Sequence, residues 1–186
     1  MKYYTTKGDK GTTKLFSCPQ GVRLSKADGV FEVLGGVDEL NSFVGWCKAV
    51  AERSSFPCDR RGEFLGALKM LQEDLFSIQA KLGGGGGNLP GGKVEQMEKM
   101  IALFAEGFPE IHSFVIPGAT ELGALLDVSR TVARRVERLY IRERGETDTG
   151  EDTTLQYLNR ASSLLYVLAR FANHMHGAPE SIPTYR

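Results

Sequence analysis

Past a glycine-containing opening, apolar residues recur along this chain at intervals of three and four, the spacing that gathers side chains on one face of an α-helix. From residue 37 onward Leu40, Phe43, Val44, Cys47 and the Val50/Ala51 pair share a face behind Asp38, and Ser54, Ser55 and Pro57 close the segment. A second helix is predicted over residues 61–82, where Phe64, Leu65, Leu68, Leu71, Leu75, Ile78 and Leu82 carry the stripe and the glycines 83–87 end it. The stretch GGGGGNLPGG contains GxG, but it follows a helix rather than a strand, so it reads as a flexible connector and not a dinucleotide loop. A shorter third helix covers residues 93–106 through Val94, Met97, Ile101 and Phe104, followed by a loop through Pro109, Phe114, Pro117 and Gly118. The fourth, over 119–144, keeps Leu122, Leu125, Ser129, Val132, Val136 and Leu139 in one arc, and the fifth, over 153–176, starts behind Asp152 as its cap. The expected fold is one all-α domain over residues 1–186, an up-and-down bundle of five helices at 35–177 behind an irregular leader at 1–34. Within that leader only VFEVL resembles a short extended piece.

With 186 residues, 41% of them hydrophobic and 25% charged, the chain can bury a core as a single domain, which excludes a disordered or disulfide-scaffold class. The 23 basic side chains balance 23 acidic ones, so no general nucleic-acid affinity is expected. No apolar run approaches the roughly 18 residues of a membrane span, and MKYYTTKGDKG lacks the apolar stretch of a secretory signal. A cytoplasmic protein with neither membrane nor nucleic acid as partner is the expectation. Cys18, Cys47 and Cys58 have no CxxC spacing and read as reduced thiols rather than bridges or a zinc site. Charge is unevenly placed: residues 1–34 carry six Lys/Arg against three acids, and 118–145 six Arg against four, so any anion must be held locally.

Those two basic segments hold the candidate chemistry. In YTTKGDKGTTKLF, Gly8 and Gly11 flank Asp9, with hydroxyls and Lys14 following. Glycines let consecutive N–H groups turn toward an anion, while hydroxyls and lysines add donors and charge. The pattern is not a Walker loop, and a plain solvated turn has the same composition. In the fourth helix Arg130, Arg134 and Arg138 recur every four residues and form one stripe opposite the apolar arc, either a solvated face laced by Asp127 and Glu137 or a dock for a phosphate chain or a neighbouring subunit. Asn159, a weak helix former in mid-helix, points to a side-chain hydrogen bond, structural or to a ligand. Asp38 reads as a helix-capping residue. His112, His174 and His176 lack HExxH or ExxH spacing, and no GxSxG elbow is present.

Taken in order, TTKGDKGTT, GGVDELN, LQEDLF, FVIPG, SRTVARRVER and YLNRASSLLYVLAR resemble the PduO-type ATP:cob(I)alamin adenosyltransferases, from Tyr4 to about His174. The resemblance implies a ferritin-like five-helix bundle assembled as a homotrimer with active sites between subunits. It further implies transfer of the 5′-deoxyadenosyl group of ATP to cob(I)alamin with release of triphosphate. The ATP contacts it implies fall on Thr5, Thr6, Lys7, Gly8, Thr13, Lys14, Lys26, Arg134, Arg135, Glu137, Arg138 and Asn159. Mg2+ is expected on the triphosphate, with no protein ligands assigned to it. On the corrinoid side the resemblance implies an inter-subunit salt bridge between Asp38 and Arg130, and Phe114 as the aromatic residue that displaces the lower axial ligand of cob(II)alamin. A corrinoid reductase and a B12-dependent mutase or dehydratase are the implied partners.

The chain departs from that pattern at several places. Thr6-Lys7 stand in reversed order, Lys14 replaces a small residue, the SCPQGVRLSK loop is longer by about three residues, and Ser163 replaces the acid of NRxSD. The weakened YLNRASS block is what a non-catalytic carrier of adenosylcobalamin with the same fold would carry; the intact RTVARRVER block favours the enzyme. A plain helical interaction protein would have no nucleotide affinity.

Overall fold

The computed structural model describes residues 3–54, 59–145 and 152–185. Helices α1 (Gly29–Arg53), α2 (Arg61–Leu82), α3 (Lys93–Ala105), α4 (Glu121–Arg144) and α5 (Thr153–Met175) follow a leader whose strands β1 (Thr12–Thr13) and β2 (Leu24–Ser25) pair antiparallel, Thr12 opposite Ser25 and Thr13 opposite Leu24. Four of the predicted helices thus stand within two residues of their expected bounds. Ser55, Pro57 and Cys58 lie outside the described residues.

Side-chain pairs fix the direction of each helix. Asn41 and Gln72 exchange side-chain-to-backbone bonds and Gln79 reaches Asp38, so α1 and α2 run antiparallel. Arg135 pairs with Glu39 and Cys47 meets Ser129, which sets α4 antiparallel to α1. Asp127 pairs with Arg170 and Glu137 with Asn159, so α5 reverses again. Arg160 bonds Glu98 while Phe104 packs on Phe171, making α3 parallel to α5. The result is the expected up-and-down bundle, with α5 at its centre: 14 of its 23 residues are buried, against only Met97 and Phe104 in α3.

The first helix starts eight residues earlier than its expected onset, and VFEVL is helical rather than extended. Val33, Val37, Leu40, Val44 and Cys47 form one unbroken 4-3-4-3 series, all fully buried. Gly36 faces α4 at close range: a Cβ there would lie 3.1 Å from Val136 and 3.5 Å from Leu139. The leader therefore ends at residue 28, and Asp38 stands inside a helix, so its capping role falls away.

Two polar ties seat α2 and α3 on α5. The buried Asp74 carboxylate accepts from the Tyr157 hydroxyl (2.8 Å) and pairs with Lys93 (2.9 Å), and this carboxylate, after burial itself, drives the Tyr157 pKa far upward. Phe64, Phe104 and Phe171 form an aromatic triad with centroids 5.0–6.2 Å apart.

Asp152 caps α5 as predicted: one carboxylate oxygen accepts from the backbone N–H of Thr154 (2.9 Å) and Leu155 (3.2 Å), the other from Tyr140 and Arg144. Burial alone would raise its pKa, but the bonds from Leu155, Tyr140, Arg144 and Thr154 together hold it below 3.8. Burial, then the nearby carboxylate, push the Tyr140 hydroxyl up to about 12. Asp152→Ala should cost about 1–2 kcal/mol at pH 7, measured by urea unfolding. Because the folded state prefers the ionised carboxylate, the deficit should persist above the ordinary value of 3.8 and close as pH falls through the lowered one.

Candidate functional site

The leader is organised by its glycines. After a 3₁₀ turn over Thr6–Gly8, Gly11 takes φ +74°, its N–H bonds the Gly8 carbonyl (3.1 Å) and its own carbonyl accepts from Lys26 N–H (2.9 Å). A Cβ on Gly8 would sit 3.2 Å from the Lys26 ammonium, so this glycine gives Lys26 room to lie over the turn. Arg23 clamps β1 through the hydroxyl (2.9 Å) and carbonyl (2.6 Å) of Thr12. Thr5, Thr6, Lys7, Lys14 and Lys26 are exposed, Gly8 and Thr13 half-buried, and Lys7, Lys14 and Lys26 have no acidic partner among the described residues. Lys26 thus lies over a glycine turn without an acidic partner among the described residues.

On α4 the arginines divide by partner. Arg130 is half-buried and its Nε bonds Asp127 (3.2 Å); Arg135 bonds Glu39 of α1. Arg134 and Arg138 are exposed and without a polar partner among the described residues. Asn159 donates to Glu137 (2.8 Å) and accepts from Arg160 (2.8 Å), so its predicted bond joins α5 to the carboxylate inside the arginine block. The leader enters α1 beside the end of α4, where a Cβ on Gly29 would strike the Glu143 carboxylate.

Below the stripe lies a cavity of about 480 Å³ whose wall includes Ser113, Phe114, Asp127, Arg130, Tyr166 and Arg170. A second cavity, about 460 Å³, shares Arg170 and the 111–115 loop and adds His174 and Glu180. A third, about 260 Å³, shares Arg130 and Tyr166 with the first and adds Arg134 and Ser163. Phe114 is 78% exposed, which removes loop-core packing as its role within the chain. Its loop is tied down by Ile116 N–H to the Ser181 carbonyl (2.8 Å) and by the Thr120 cap, which accepts from Gly123 N–H (2.9 Å). Asp38 is brought to none of these cavities; it faces α2, accepting from Gln79 (3.4 Å), so Asp38 and Arg130 do not meet within one chain.

Arg170 stands out in sequence only as one polar position on the fifth helix beside Asn159, Ser163 and His174; the partners that position this wall do not. Arg170, 2% exposed, pairs with Asp127 and with Glu180 (3.1 Å), and its guanidinium lies 5.2 Å from the Tyr166 ring centroid. Asn173 donates to the same Glu180 oxygen (2.6 Å) and accepts from Thr120 (2.6 Å). The available signal was Arg170 and Asn173 three apart on the helix that follows Asp127; Glu180 lies beyond the last helix, where no period exists. Cys47 is buried against Ser129, and burial pushes its thiol up to about 11, so it is an inert core thiol. No group of three or more His, Cys, Asp or Glu is placed to hold a metal among the described residues.

A family model described as Cobalamin adenosyltransferase matches residues 3–172. The chain is 34% identical over 185 residues to a cobalamin adenosyltransferase of Cupriavidus metallidurans, covering 96% of this chain and 92% of that one. It is 34% identical over 188 residues to a corrinoid adenosyltransferase of Bacillus subtilis, covering 95% and 89%. A solved PduO-type ATP:corrinoid adenosyltransferase from Lactobacillus reuteri, a variant with phenylalanine replaced by histidine and complexed with cobalamin and ATP, superposes with a TM-score of 0.82 at 27% identity over 98% of this chain and 97% of that one.

The buried ion pair makes a stability prediction. Asp127→Asn leaves Arg170 short of its inner counter-charge and should cost about 3–5 kcal/mol by urea unfolding. Glu180→Gln, at the edge of the network, keeps a hydrogen-bonding oxygen and should cost less, about 1–3 kcal/mol.

Proposed function

Given that the chain belongs to the cobalamin adenosyltransferase family, we propose that it is an ATP:corrinoid adenosyltransferase that moves the 5′-deoxyadenosyl group of ATP onto cob(I)alamin and releases triphosphate. The observation that carries the residue assignment is the wall the cavities share: Phe114 and Arg130 line one, and Arg130 and Arg134 line the next. The corrinoid occupies the lower space, against Phe114. The nucleotide lies against the leader, through Thr5, Thr6, Lys7, Gly8, Thr13, Lys14 and Lys26, and against the arginine face of α4.

In the reaction the cobalt(I) electron pair forms the Co–C bond at C5′ as the C5′–O bond breaks, and the bonding electrons leave on triphosphate. The protein holds the nucleophile in line and meets the charge developing on the leaving group. Arg134 and Arg138 supply free guanidinium forks for that charge, whereas Arg135 is engaged by Glu39, and Glu137 and Asn159 hold each other, orienting the block. No group of three or more His, Cys, Asp or Glu stands ready to hold a metal among the described residues, so Mg2+ would enter with the triphosphate and would offset part of its charge. Phe114, exposed at the cavity wall, excludes the lower axial base; without that donor the cobalt orbital receiving the electron falls, and reduction to cob(I) becomes easier.

A homotrimer completes the site in this reading: the family resemblance pairs Asp38 with Arg130 between subunits, and within one chain Asp38 bonds Gln79 instead. Light scattering should return three times the 20.4 kDa chain mass; a monomer at micromolar concentration would count against a shared site. The activity itself is tested by mixing the protein with ATP, Mg2+ and chemically reduced cobalamin and following Co–C bond formation in the visible spectrum. Phe114→Ala should leave stability within about 0.5 kcal/mol of the parent, as truncation of an exposed side chain does. It should bind ATP normally and adenosylate pre-reduced cob(I)alamin, yet fail with cob(II)alamin and a weak reductant. Equal loss in both assays would remove Phe114 from the mechanism.

A further inference from the structure

The glycine run at 83–87, which reads as a loose connector, has a defined geometry over its first three residues. Gly84 takes φ +75°, its N–H bonds the Lys81 carbonyl (3.0 Å), and Gly85 N–H bonds the Ala80 carbonyl (2.8 Å). That pair of bonds is a Schellman cap on the end of α2. The capped turn is also occupied from outside. Phe16 N–H donates to the Gly83 carbonyl (2.8 Å), and a Cβ on Gly84 would lie 2.7 Å from the Ser17 backbone nitrogen. The edge of the exposed Phe16 ring lies beside the turn, 3.7 Å from where a Cβ on Gly83 would stand and 3.8 Å from one on Gly85.

The leader has little else to hold it. No described residue from 3 to 28 is buried, and β1 and β2 pair only with each other. Apolar burial therefore fixes neither its position nor its orientation.

We infer that the Gly83–Gly85 turn is the dock that positions the leader, with Gly84 as a positioning residue for nucleotide binding. The inference rests on the reading of the leader as the ATP cradle. Gly84 acts twice: its left-handed backbone ends α2, and its missing side chain lets the backbone of Ser17 close onto that end. Docking at Phe16-Ser17 holds the segment just after Thr13 and Lys14, so the hairpin stands in its binding arrangement before ATP arrives. An undocked leader would have to be ordered at the moment of binding, and affinity would fall by that ordering cost.

Two asparagine variants isolate the contact. Asn tolerates the left-handed region, so Gly84→Asn keeps the cap geometry while placing a Cβ against Ser17. Gly86→Asn is the control, because Gly86 has φ +74° and a Cβ there meets nothing within 4 Å. Amide hydrogen exchange over residues 12–18 is measured in the ligand-free protein, the ATP Kd by calorimetry with Mg2+, and cob(II)alamin binding by absorbance. Gly84→Asn should accelerate exchange over 12–18 and raise the ATP Kd about tenfold, a difference of about 1.4 kcal/mol. Corrinoid affinity should not change, and Gly86→Asn should match the parent in every readout. Unchanged exchange in Gly84→Asn would overturn the dock. Faster exchange with an unchanged ATP Kd, or an equal loss of ATP affinity in Gly86→Asn, would overturn the role assigned to Gly84. A parent protein with no affinity for ATP would sink the nucleotide reading and that role with it, while the exchange data would still report whether the dock exists.

Discussion

Arg170, with 2% of its surface exposed, sits inside a helix bundle, and two cavities share it as part of their wall. Arg170 cannot shed its charge, so burial obliges the surrounding chain to supply counter-charge within hydrogen-bond reach. Asp127 meets it from α4 and Glu180 from the segment after α5, with the Tyr166 ring beneath. Each supplier is thereby fixed too. Asp127 has its second oxygen turned to Arg130, and Glu180 is drawn against Asn173, whose amide reaches the Thr120 cap of α4. Next to Glu180, the Ser181 carbonyl takes the Ile116 amide, so the segment that neutralises Arg170 also straps the loop carrying Phe114. One electrostatic requirement thus sets Arg130, the cavity floor and the Phe114 loop together.

The remaining charges sort by whether they are answered inside the chain. Arg135 with Glu39, Arg160 with Glu98 and Arg144 with Asp152 tie one helix to another or to a cap. Lys7, Lys14 and Lys26 in the leader and Arg134 and Arg138 on α4 are left without such partners among the described residues. A chain of zero formal net charge can therefore still present two local concentrations of positive charge. This is what a triphosphate requires, since its charge is compact and needs a matching field over only a few ångströms rather than across a whole surface.

The helices were legible because each buries a strip that repeats at three and four, and the Asp152 cap because a short acid precedes an apolar run. Where reading failed, glycine was the reason in two opposite ways. Gly35-Gly36 lie just before the expected onset of the first helix, but in α1 the missing side chain of Gly36 serves close contact with Val136 and Leu139, and the helix runs through it. Gly83–Gly85 suggested flexibility, but the missing side chains serve a capped turn with another segment lying on it. A sequence shows that a side chain is absent; only the fold shows whether solvent or a neighbour fills the space. The arginine stripe was legible from its period alone. Arg170 was not, because a polar residue on a helix looks the same from sequence whether it faces water or a buried carboxylate.

In the proposed two-chain site, Arg130 is the group that one chain offers to the next. Its Nε is taken by Asp127, and Asp127 is itself locked by Arg170, so the guanidinium is held by its inner edge at the junction of two cavities. The two terminal nitrogens remain as the outer pair of the fork, the geometry that receives a carboxylate bidentately. Asp38 cannot be that carboxylate from within the same chain, because it lies against Gln79 on the α2 side of α1. An Asp38–Arg130 bridge therefore demands two copies. The intrachain Asp127 contact does not compete with it, since it uses the nitrogen that a bidentate partner leaves free.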